Sequence, residues 1–295
     1  MSLIPNYPQF VPLDFKHKQF FDAAFKNHPP EISEFTFTNL FSWRRVYGYQ
    51  VSLLNGLIVL RADAGKPVCF MQPIGSGNLE GSIKQVLDDA DGKFCRIPEY
   101  LAGFFKNNHS FEVEEDRDNF DYLYSFSDLL NLSGRKYDGK RNQINKFKSE
   151  YKYDYVDAKT VDAGQILEFE QLWCSIKGCD MVEGLNNERQ AIREITGHLK
   201  EFNLNCGVIR LKDRICAVAI AQRLNPETLV MHILKADPGI PGLYQVMLND
   251  FLRANAEDFK YVNLEQDLGV AGLRVFKQSY HPVGLIKKYS ISLKR

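Results

Sequence analysis

Residues 229–265, LVMHILKADPGIPGLYQVMLNDFLRANAEDFKYVNLE, decide the fold of this chain. The apolar run Leu229–Lys235 predicts a strand, and a loop with two glycines and two prolines follows it. Apolar side chains then recur at helical spacing through 244–251, and Lys260–Glu265 predicts a further strand. A strand, a glycine-containing loop, a helix and a second strand together predict an α/β fold with mixed sheets.

The residues before this stretch extend the same pattern. Cys206–Leu211 and Ile215–Arg223 predict two strands around the turn Lys212-Asp213-Arg214. Further upstream, one predicted helix starts after Asp162, whose side chain suits an N-cap, and another runs from Ile192 to Phe202. The predicted order is therefore a pair of helices, then strands, then a loop with its helix, and then a final strand. This is the element order of the GNAT acyltransferase superfamily.

The first half of the chain repeats this order roughly 160 residues earlier. Asn55-Gly56 between two apolar runs predicts a hairpin, because both residues tolerate positive φ. The predicted elements are strands at Tyr49–Leu54, Leu57–Ala62, Val68–Pro73 and Lys93–Pro98 and a helix from Leu79 to Ala90. We therefore predict tandem duplicated GNAT-like domains, an N-terminal one over 1–128 and a C-terminal one over 129–295 that carries the functional site. The alternating stretch Gly284–Leu293 predicts added edge strands.

The composition narrows the classes of function. Lys+Arg and Asp+Glu both number 37, so no global charge directs the protein to nucleic acid or to an anionic membrane. Six dispersed cysteines, without a Cys-x-x-Cys pair, predict reduced core residues of a cytosolic protein. Dispersed histidines predict no metal site. The N-terminus lacks signal-peptide features, and no stretch approaches the roughly 18 apolar residues of a spanning helix, so we predict a cytoplasmic protein.

The segment Ser133–Lys148 holds six basic residues and one acid. One interpretation is a patch that binds the phosphates of a cofactor, a nucleotide or RNA, and the other is a solvated helix face. Asparagine adds directional hydrogen bonds that a solvated face does not need. The candidate donor-binding residues here are Arg135, Lys136, Lys140, Arg141 and Asn142.

A second candidate site is the loop Asp237–Gly242, where a strand leads into a helix N-terminus. Backbone N–H groups and the helix dipole converge at such a place and favour anions. Two prolines remove N–H donors, and Asp237 puts a negative charge where a phosphate would lie, which argues against an ordinary acetyl-CoA site. A plain turn with a helix start is the alternative. The candidate donor-binding residues are Lys235, Gly242, Tyr244 and Gln245.

The third candidate site, Asn263–Tyr280, has the densest set of polar side chains. It follows a predicted core strand, and α/β sheets bind ligands at the ends of such strands. We predict that Glu265 acts as a general base or orients an attacking amine, and that Tyr280 donates a proton. The remaining candidates for donor binding are Asn263, Asp267, Arg274 and Lys277. A salt-bridged junction between strand and helix is the alternative.

This third stretch, with Gly134–Tyr137, Lys140–Asn142 and Phe35–Leu40, resembles an uncharacterised bacterial family. That family is grouped with the C-terminal catalytic domain of phosphatidylglycerol lysyltransferases, and the likeness spans nearly the whole chain. The resemblance implies tandem GNAT (acyl-CoA N-acyltransferase-like) domains similar in plan to Fem-type aminoacyltransferases. Those relatives transfer an amino acid from aminoacyl-tRNA to a lipid or peptide. The lysyltransferases also carry a large membrane-spanning N-terminal part, which this sequence does not show.

The leading hypothesis is a cytosolic GNAT-fold transferase that moves an aminoacyl or acyl group to an amine or hydroxyl. An activated ester needs positioning, a polarised carbonyl and a proton acceptor, and no Ser-His-Asp or Cys-His arrangement is evident. The possible donors are aminoacyl-tRNA, bound through its acceptor end, or acyl-CoA. The acceptor is a small molecule, a peptide or a lipid. The alternatives are an acetyl-CoA-dependent N-acetyltransferase and a non-catalytic binding module on the same fold.

Overall fold

The computed structural model describes residues 3–157, 161–256 and 258–294. The helices among these residues are α1 (Lys18–Asn27), α2 (Phe37–Tyr47), α3 (Leu79–Asp89), α4 (Glu99–Lys106), α5 (Phe126–Asn131), α6 (Asp138–Glu150), α7 (Ala163–Lys177), α8 (Glu183–Gly197), α9 (Leu243–Ala254) and α10 (Ala271–Gln278). The strands are β1 (Val11–Pro12), β2 (Tyr49–Leu54), β3 (Leu57–Ala62), β4 (Val68–Met71), β5 (Gly92–Pro98), β6 (Phe111–Glu115), β7 (Asp121–Ser125), β8 (Asp154–Asp157), β9 (Asn205–Leu211), β10 (Arg214–Asn225), β11 (Thr228–Ala236), β12 (Tyr261–Asn263), β13 (Gly284–Ile286) and β14 (Lys288–Leu293).

The first sheet has the strand order β1-β2-β3-β4-β5-β14-β6. Asn55 and Gly56 both adopt positive φ and close the predicted β2–β3 hairpin. Strands β4 and β5 are parallel and are joined through α3. Strand β14, from the end of the chain, pairs antiparallel with both β5 and β6. The prediction of edge strands at Gly284–Leu293 is therefore wrong for β14, which lies inside the sheet.

The second sheet has the order β13-β7-β12-β11-β10-β9-β8. Strands β9, β10 and β11 are antiparallel neighbours, and β11 and β12 are parallel and joined through α9. Each sheet thus contains the predicted hairpin, the third strand and the parallel strand, and the predicted helix connects the last two of these strands. Strand β7 follows β6 along the chain but pairs with β12 of the second sheet. Each sheet therefore contains a strand from the other half of the sequence.

This exchange shapes the two compact units of the chain. The first unit comprises 1–121, 266–271 and 285–295, and the second comprises 122–265 and 272–284. The predicted domains met at residue 128, whereas β7 places the change of unit at Asp121 and β14 returns to the first unit. A linear division by sequence does not capture this, because strand pairing partners are not encoded locally.

Ion pairs between buried side chains hold β14 in the first unit. The Lys288 side chain is fully buried, and its Nζ lies 2.5 Å from Glu34 and 2.6 Å from Asp121. Ser33 donates to Asp121 through both its backbone N–H and its hydroxyl, at 2.8 Å each. Burial raises the pKa of Glu34, but Lys288 and Arg96 outweigh it and hold that pKa below its usual range. The ammonium and carboxylates compensate one another inside the unit, as buried charges must.

Helix α9 anchors the core of the second unit. Val246, Met247, Phe251 and Leu252 on this helix are completely buried. Each large apolar side chain that is removed from water contributes about 1.5–3 kcal/mol. Upstream, Asp162 accepts a hydrogen bond from the Gly164 N–H and caps α7, as predicted. This packing holds the parallel pair β11 and β12, which carries the candidate site.

The cysteines differ from the prediction of six reduced thiols. The structure pairs Cys69 with Cys95 and Cys174 with Cys179 as disulfides. Cys206 and Cys216 are buried free thiols, so the prediction is correct for these two only. Within the described ranges, no helix is long and apolar enough to cross a bilayer. In the same ranges, no three His, Cys, Asp or Glu side chains are grouped for a metal ion.

Candidate functional site

The parallel pair of the second sheet ends before β11 does. Its partners are Thr228 with Tyr261, Leu229 with Val262 and Val230 with Asn263. Strand β11 continues to Ala236, whereas β12 ends at Asn263. The chain beyond Val230 on β11 and beyond Asn263 on β12 therefore forms the carboxyl ends of two adjacent parallel strands, where α/β sheets bind ligands.

His232 occupies a β-bulge at this point of β11. The register with β10 changes from Ile233–Ile220 to Met231–Ala221, so His232 is the extra residue. Its side chain is only 2% exposed, and its Nδ1 lies 3.0 Å from Glu265 Oε1. An ionised carboxylate only accepts hydrogen bonds, so Nδ1 carries the hydrogen of this contact. Nε2 is buried and has no hydrogen-bond partner among the described residues.

Glu265 lies in a turn that is fixed by its neighbours. Its φ is +58°, a left-handed conformation that costs a non-glycine residue about 1–3 kcal/mol. Its N–H donates to Asn263 Oδ1 at 2.8 Å, and its carbonyl accepts from the Tyr122 N–H at 3.1 Å. Asn263 is fully buried, while the Glu265 side chain is 21% exposed. The turn thus directs a partly accessible carboxylate toward His232.

Helix α10 supports the same turn through Lys277. The buried Lys277 ammonium donates to the carbonyl of Leu264, the residue before Glu265. The Tyr124 hydroxyl donates to the Lys277 carbonyl at 2.8 Å and fixes the end of the helix. Lys277 was predicted to bind the donor, but here it contacts the protein backbone. Arg274, one turn earlier on α10, is partly buried.

A second cluster joins α6, α9 and α10 around Tyr280. Lys140 Nζ donates to Ser279 Oγ at 2.7 Å and lies 4.0 Å from the centre of the Tyr280 ring. Burial lowers the pKa of Lys140, and no carboxylate pairs with it among the described residues. The Tyr280 hydroxyl is buried; burial raises the pKa of Tyr280 and the neighbouring Gln245 side chain lowers it to a smaller extent. Tyr280 is thus a neutral phenol whose hydroxyl does not reach solvent.

The glycine loop before α9 is closed by α6. A Cβ at Gly242, whose φ is +83°, would lie 2.5 Å from the Gln143 carbonyl oxygen. Asp237 accepts from the Gly239 N–H at 2.9 Å and pairs with Arg214 at 3.0 Å, so its charge organises the loop. The Tyr244 ring packs edge-on against Phe276, with centroids 4.8 Å apart. The backbone of α6 therefore packs directly against Gly242.

The basic segment is largely neutralised by nearby acids. Lys136 pairs with Asp128 at 3.0 Å, and Arg141 pairs with Asp138 and donates to the Gly134 carbonyl. Ion pairs with Glu150 and Asp250 likewise hold Lys146 and Lys148. The exposed side chains of Arg135 and Asn142 make no ion pair or side-chain hydrogen bond among the described residues.

Two further candidates are held in internal ion pairs. Lys235 Nζ lies 3.1 Å from Glu170 and 2.9 Å from Glu188, and it is stacked 3.7 Å from the centre of the Trp173 ring. Asp267 belongs to the first unit, where it is buried and pairs with Arg117 at 3.2 Å. Neither side chain is accessible for donor binding in this arrangement.

Sequence reasoning missed His232, although a signal was present. His232 is the polar residue inside the otherwise apolar run Leu229–Leu234, and such a residue in a core strand needs a partner. The structure brings together His232, Glu265, Asn263 and Lys277 at the strand ends. Lys140, Tyr244, Gln245 and Tyr280 form the second cluster. The neighbouring residues Phe276 and Lys277 connect the two groups through α10.

Comparisons with known proteins agree with this architecture. The family described as phosphatidylglycerol lysyltransferase, C-terminal, matches residues 25–292. A conserved protein of unknown function from Bacteroides thetaiotaomicron is 30% identical over 97% of this chain and 99% of that chain, with a TM-score of 0.90. L-PGS from Bacillus licheniformis is 12% identical over 100% and 94% of the two chains, with a TM-score of 0.66. At this identity the likeness shows the fold alone, and it agrees with the predicted α/β architecture of two mixed sheets.

A curated relative matches a shorter part of the chain. An uncharacterised protein from Mycoplasmoides gallisepticum is 26% identical over 183 residues, which is 61% of this chain. The match spans 58% of the length of that relative.

Proposed function

Because this chain belongs to the family of the phosphatidylglycerol lysyltransferase C-terminal domain, we propose that it transfers an aminoacyl group from aminoacyl-tRNA to an amine or hydroxyl acceptor. The observation that carries the proposal is the His232–Glu265 pair at the ends of two parallel strands. Within this pair the Glu265 carboxylate, which is 21% exposed, is the group that a bound nucleophile can reach, and the buried His232 ring fixes its position.

In this reaction the acceptor nitrogen or oxygen attacks the carbonyl carbon of the aminoacyl ester. The partly exposed Glu265 carboxylate accepts the proton of the nucleophile, and the hydrogen bond from His232 Nδ1 holds that carboxylate in place. The new C–N or C–O bond forms as the bond to the ribose oxygen breaks, and the ribose oxygen then takes up a proton. Glu265 therefore acts as the general base of the two roles predicted for it, and the fixed turn at Asn263 keeps it in place.

The arrangement of α6 favours a tRNA-linked donor over acyl-CoA. The Gln143 carbonyl oxygen lies against Gly242, so a pyrophosphate does not find space at that glycine. Lys140, which has no acidic partner among the described residues, and the exposed Arg135 supply the positive charge for the phosphates of the acceptor end.

A transfer assay with the whole chain tests the proposal. Total tRNA charged with labelled amino acids is mixed with phosphatidylglycerol vesicles, peptides or small amines, and label on the acceptor is measured against spontaneous ester hydrolysis. We expect acceptor-dependent transfer that falls about 100-fold or more in His232→Ala and Glu265→Gln. The exposed His109→Ala serves as the control and keeps full activity.

Three results would contradict the proposal. Transfer that is unchanged in both site variants places the chemistry elsewhere. Micromolar coenzyme A binding in a titration calorimeter, with acetyl transfer, identifies an acetyltransferase instead. Binding of charged tRNA without transfer to any acceptor identifies a non-catalytic binding module.

A further inference from the structure

The first unit contains a cavity of about 380 Å³ at the carboxyl ends of its own parallel strands. Gln72–Gly75, directly after β4, and Pro98, at the end of β5, form one side of it. Residues 27–32, between α1 and α2, form another side. This position corresponds in topology to the ends of β11 and β12 in the second unit, and the volume falls within the range of small-molecule sites.

The lining of this cavity differs from the second unit in its chemistry. Phe25, Phe35 and Tyr100 contribute aromatic rings, and prolines and aliphatic side chains supply most of the rest. Among the described residues that line it there is no lysine or arginine. A cavity without lysine or arginine lacks the side chains that bind phosphate most strongly, which argues against a nucleotide, a phospholipid headgroup or a tRNA end as its ligand.

Glu31 gives the cavity a single carboxylate. Its side chain is exposed, and within the described part of the chain no basic side chain pairs with it. Two of the other polar lining side chains are already hydrogen-bonded: Gln72 Nε2 donates to the Tyr100 hydroxyl at 3.0 Å, and His28 is bonded to Ser76 at 2.7 Å, while the third, Asn27, is uncharged. Glu31 is therefore the group that remains to recognise a charged ligand.

We propose that this cavity binds a small primary amine with an aromatic body, whose ammonium pairs with Glu31. The aromatic body packs against Tyr100 and Phe25, whose rings lie in the walls of the cavity. The apolar contacts supply most of the affinity, since an exposed ion pair contributes little, and Glu31 supplies the selectivity for amines. This ligand site lies within the first unit and is independent of the transfer reaction proposed for the second.

Binding of two matched probes to the whole chain tests this site. Tyramine carries the ammonium, and tyrosol has a hydroxyl in its place. Titration followed by NMR should show that tyramine binds about three- to fivefold more tightly than tyrosol at low salt. Glu31→Gln should remove that preference, whereas the exposed Glu114→Gln should keep it. Tyr100→Ala should weaken both probes, while Phe104→Ala on the same helix, outside the cavity, should not.

The opposite results would overturn the proposal. Equal binding of tyramine and tyrosol to the native chain, or absence of binding by both, contradicts an amine site. A preference for tyramine that persists in Glu31→Gln places the ammonium elsewhere. Tighter binding of phosphotyrosine than of tyramine contradicts the exclusion of anions. Raising the salt to 0.5 M should abolish the preference, since a surface ion pair is screened at that concentration.

Discussion

At the scale of single residues, Lys140 carries a charge that its surroundings do not neutralise. It faces a hydroxyl and two aromatic rings, and no carboxylate pairs with it among the described residues. Burial therefore lowers the pKa of Lys140 in the folded state, below its unfolded value of about 10.4. Between these two pKa values the unfolded chain binds one more proton than the folded chain, so this group makes stability rise with pH in that window.

Replacing Lys140 with Met should remove this pH dependence. We expect the free energy of unfolding of the native chain, relative to Lys140→Met, to increase as pH rises toward about 10.4. Urea unfolding between pH 7 and 10 measures the difference. Lys148→Met, which removes a lysine already paired with Asp250, is the control and should not show the same trend. A difference that stays constant or falls with pH would mean that Lys140 is not a desolvated ammonium.

The same scale shows what a sequence can and cannot predict about a site. Glu265 was predictable, because a carboxylate directly after an apolar strand is unusual. Its pairing with His232 was not, since the pairing depends on a bulge that displaces the β10–β11 register by one residue. The basic residues of 135–148 gave a strong pattern, but their acidic partners at Asp128 and Asp250 come from other elements.

At the scale of elements, β14 depends on Lys288. This lysine is fully buried between Glu34 and Asp121, so its removal leaves two buried carboxylates short of positive charge. We expect Lys288→Met to destabilise the protein by about 3–5 kcal/mol. The neighbouring Lys287→Met, which removes an exposed pair with Glu99, should cost about 0–1 kcal/mol. Thermal and chemical unfolding of the two variants compares them, and equal losses would contradict this role of the buried network.

Most elements follow from local pattern. The Asn55-Gly56 hairpin, the α7 cap at Asp162 and the apolar face of α9 lie where spacing and turn chemistry predict them. Strand β12 is shorter than predicted, since the chain turns at Asn263 to present Glu265. Placement within the sheets does not follow from pattern, because β14 reads as an ordinary alternating strand whose two neighbours are about 170–200 residues away.

At the scale of the whole molecule, the exchange of β7 and β14 means that the chain cannot be cut into two contiguous fragments that each keep a complete sheet. A fragment of 1–121 lacks β14 and leaves facing edges on β5 and β6 unpaired. We expect this fragment to aggregate or to lack cooperative unfolding, and a synthetic peptide of 285–295 to restore order when added. Circular dichroism and size-exclusion chromatography measure both effects. A stable, monomeric 1–121 fragment would show that β14 is dispensable.

The position of β14 also has a consequence during synthesis. Translation from Glu115 to Leu293 takes on the order of ten to forty seconds at roughly 5–20 residues per second. During that interval the facing edges of β5 and β6 lack their hydrogen-bonding partner, because β14, which lies between them, has not yet been made. An N-terminal domain usually folds before the next one emerges, but here the strand between β5 and β6 comes from the far end of the sequence. The first unit can therefore complete its sheet only after β14 has been made, which leaves the edges of β5 and β6 unpaired for longer than in a unit built from contiguous sequence.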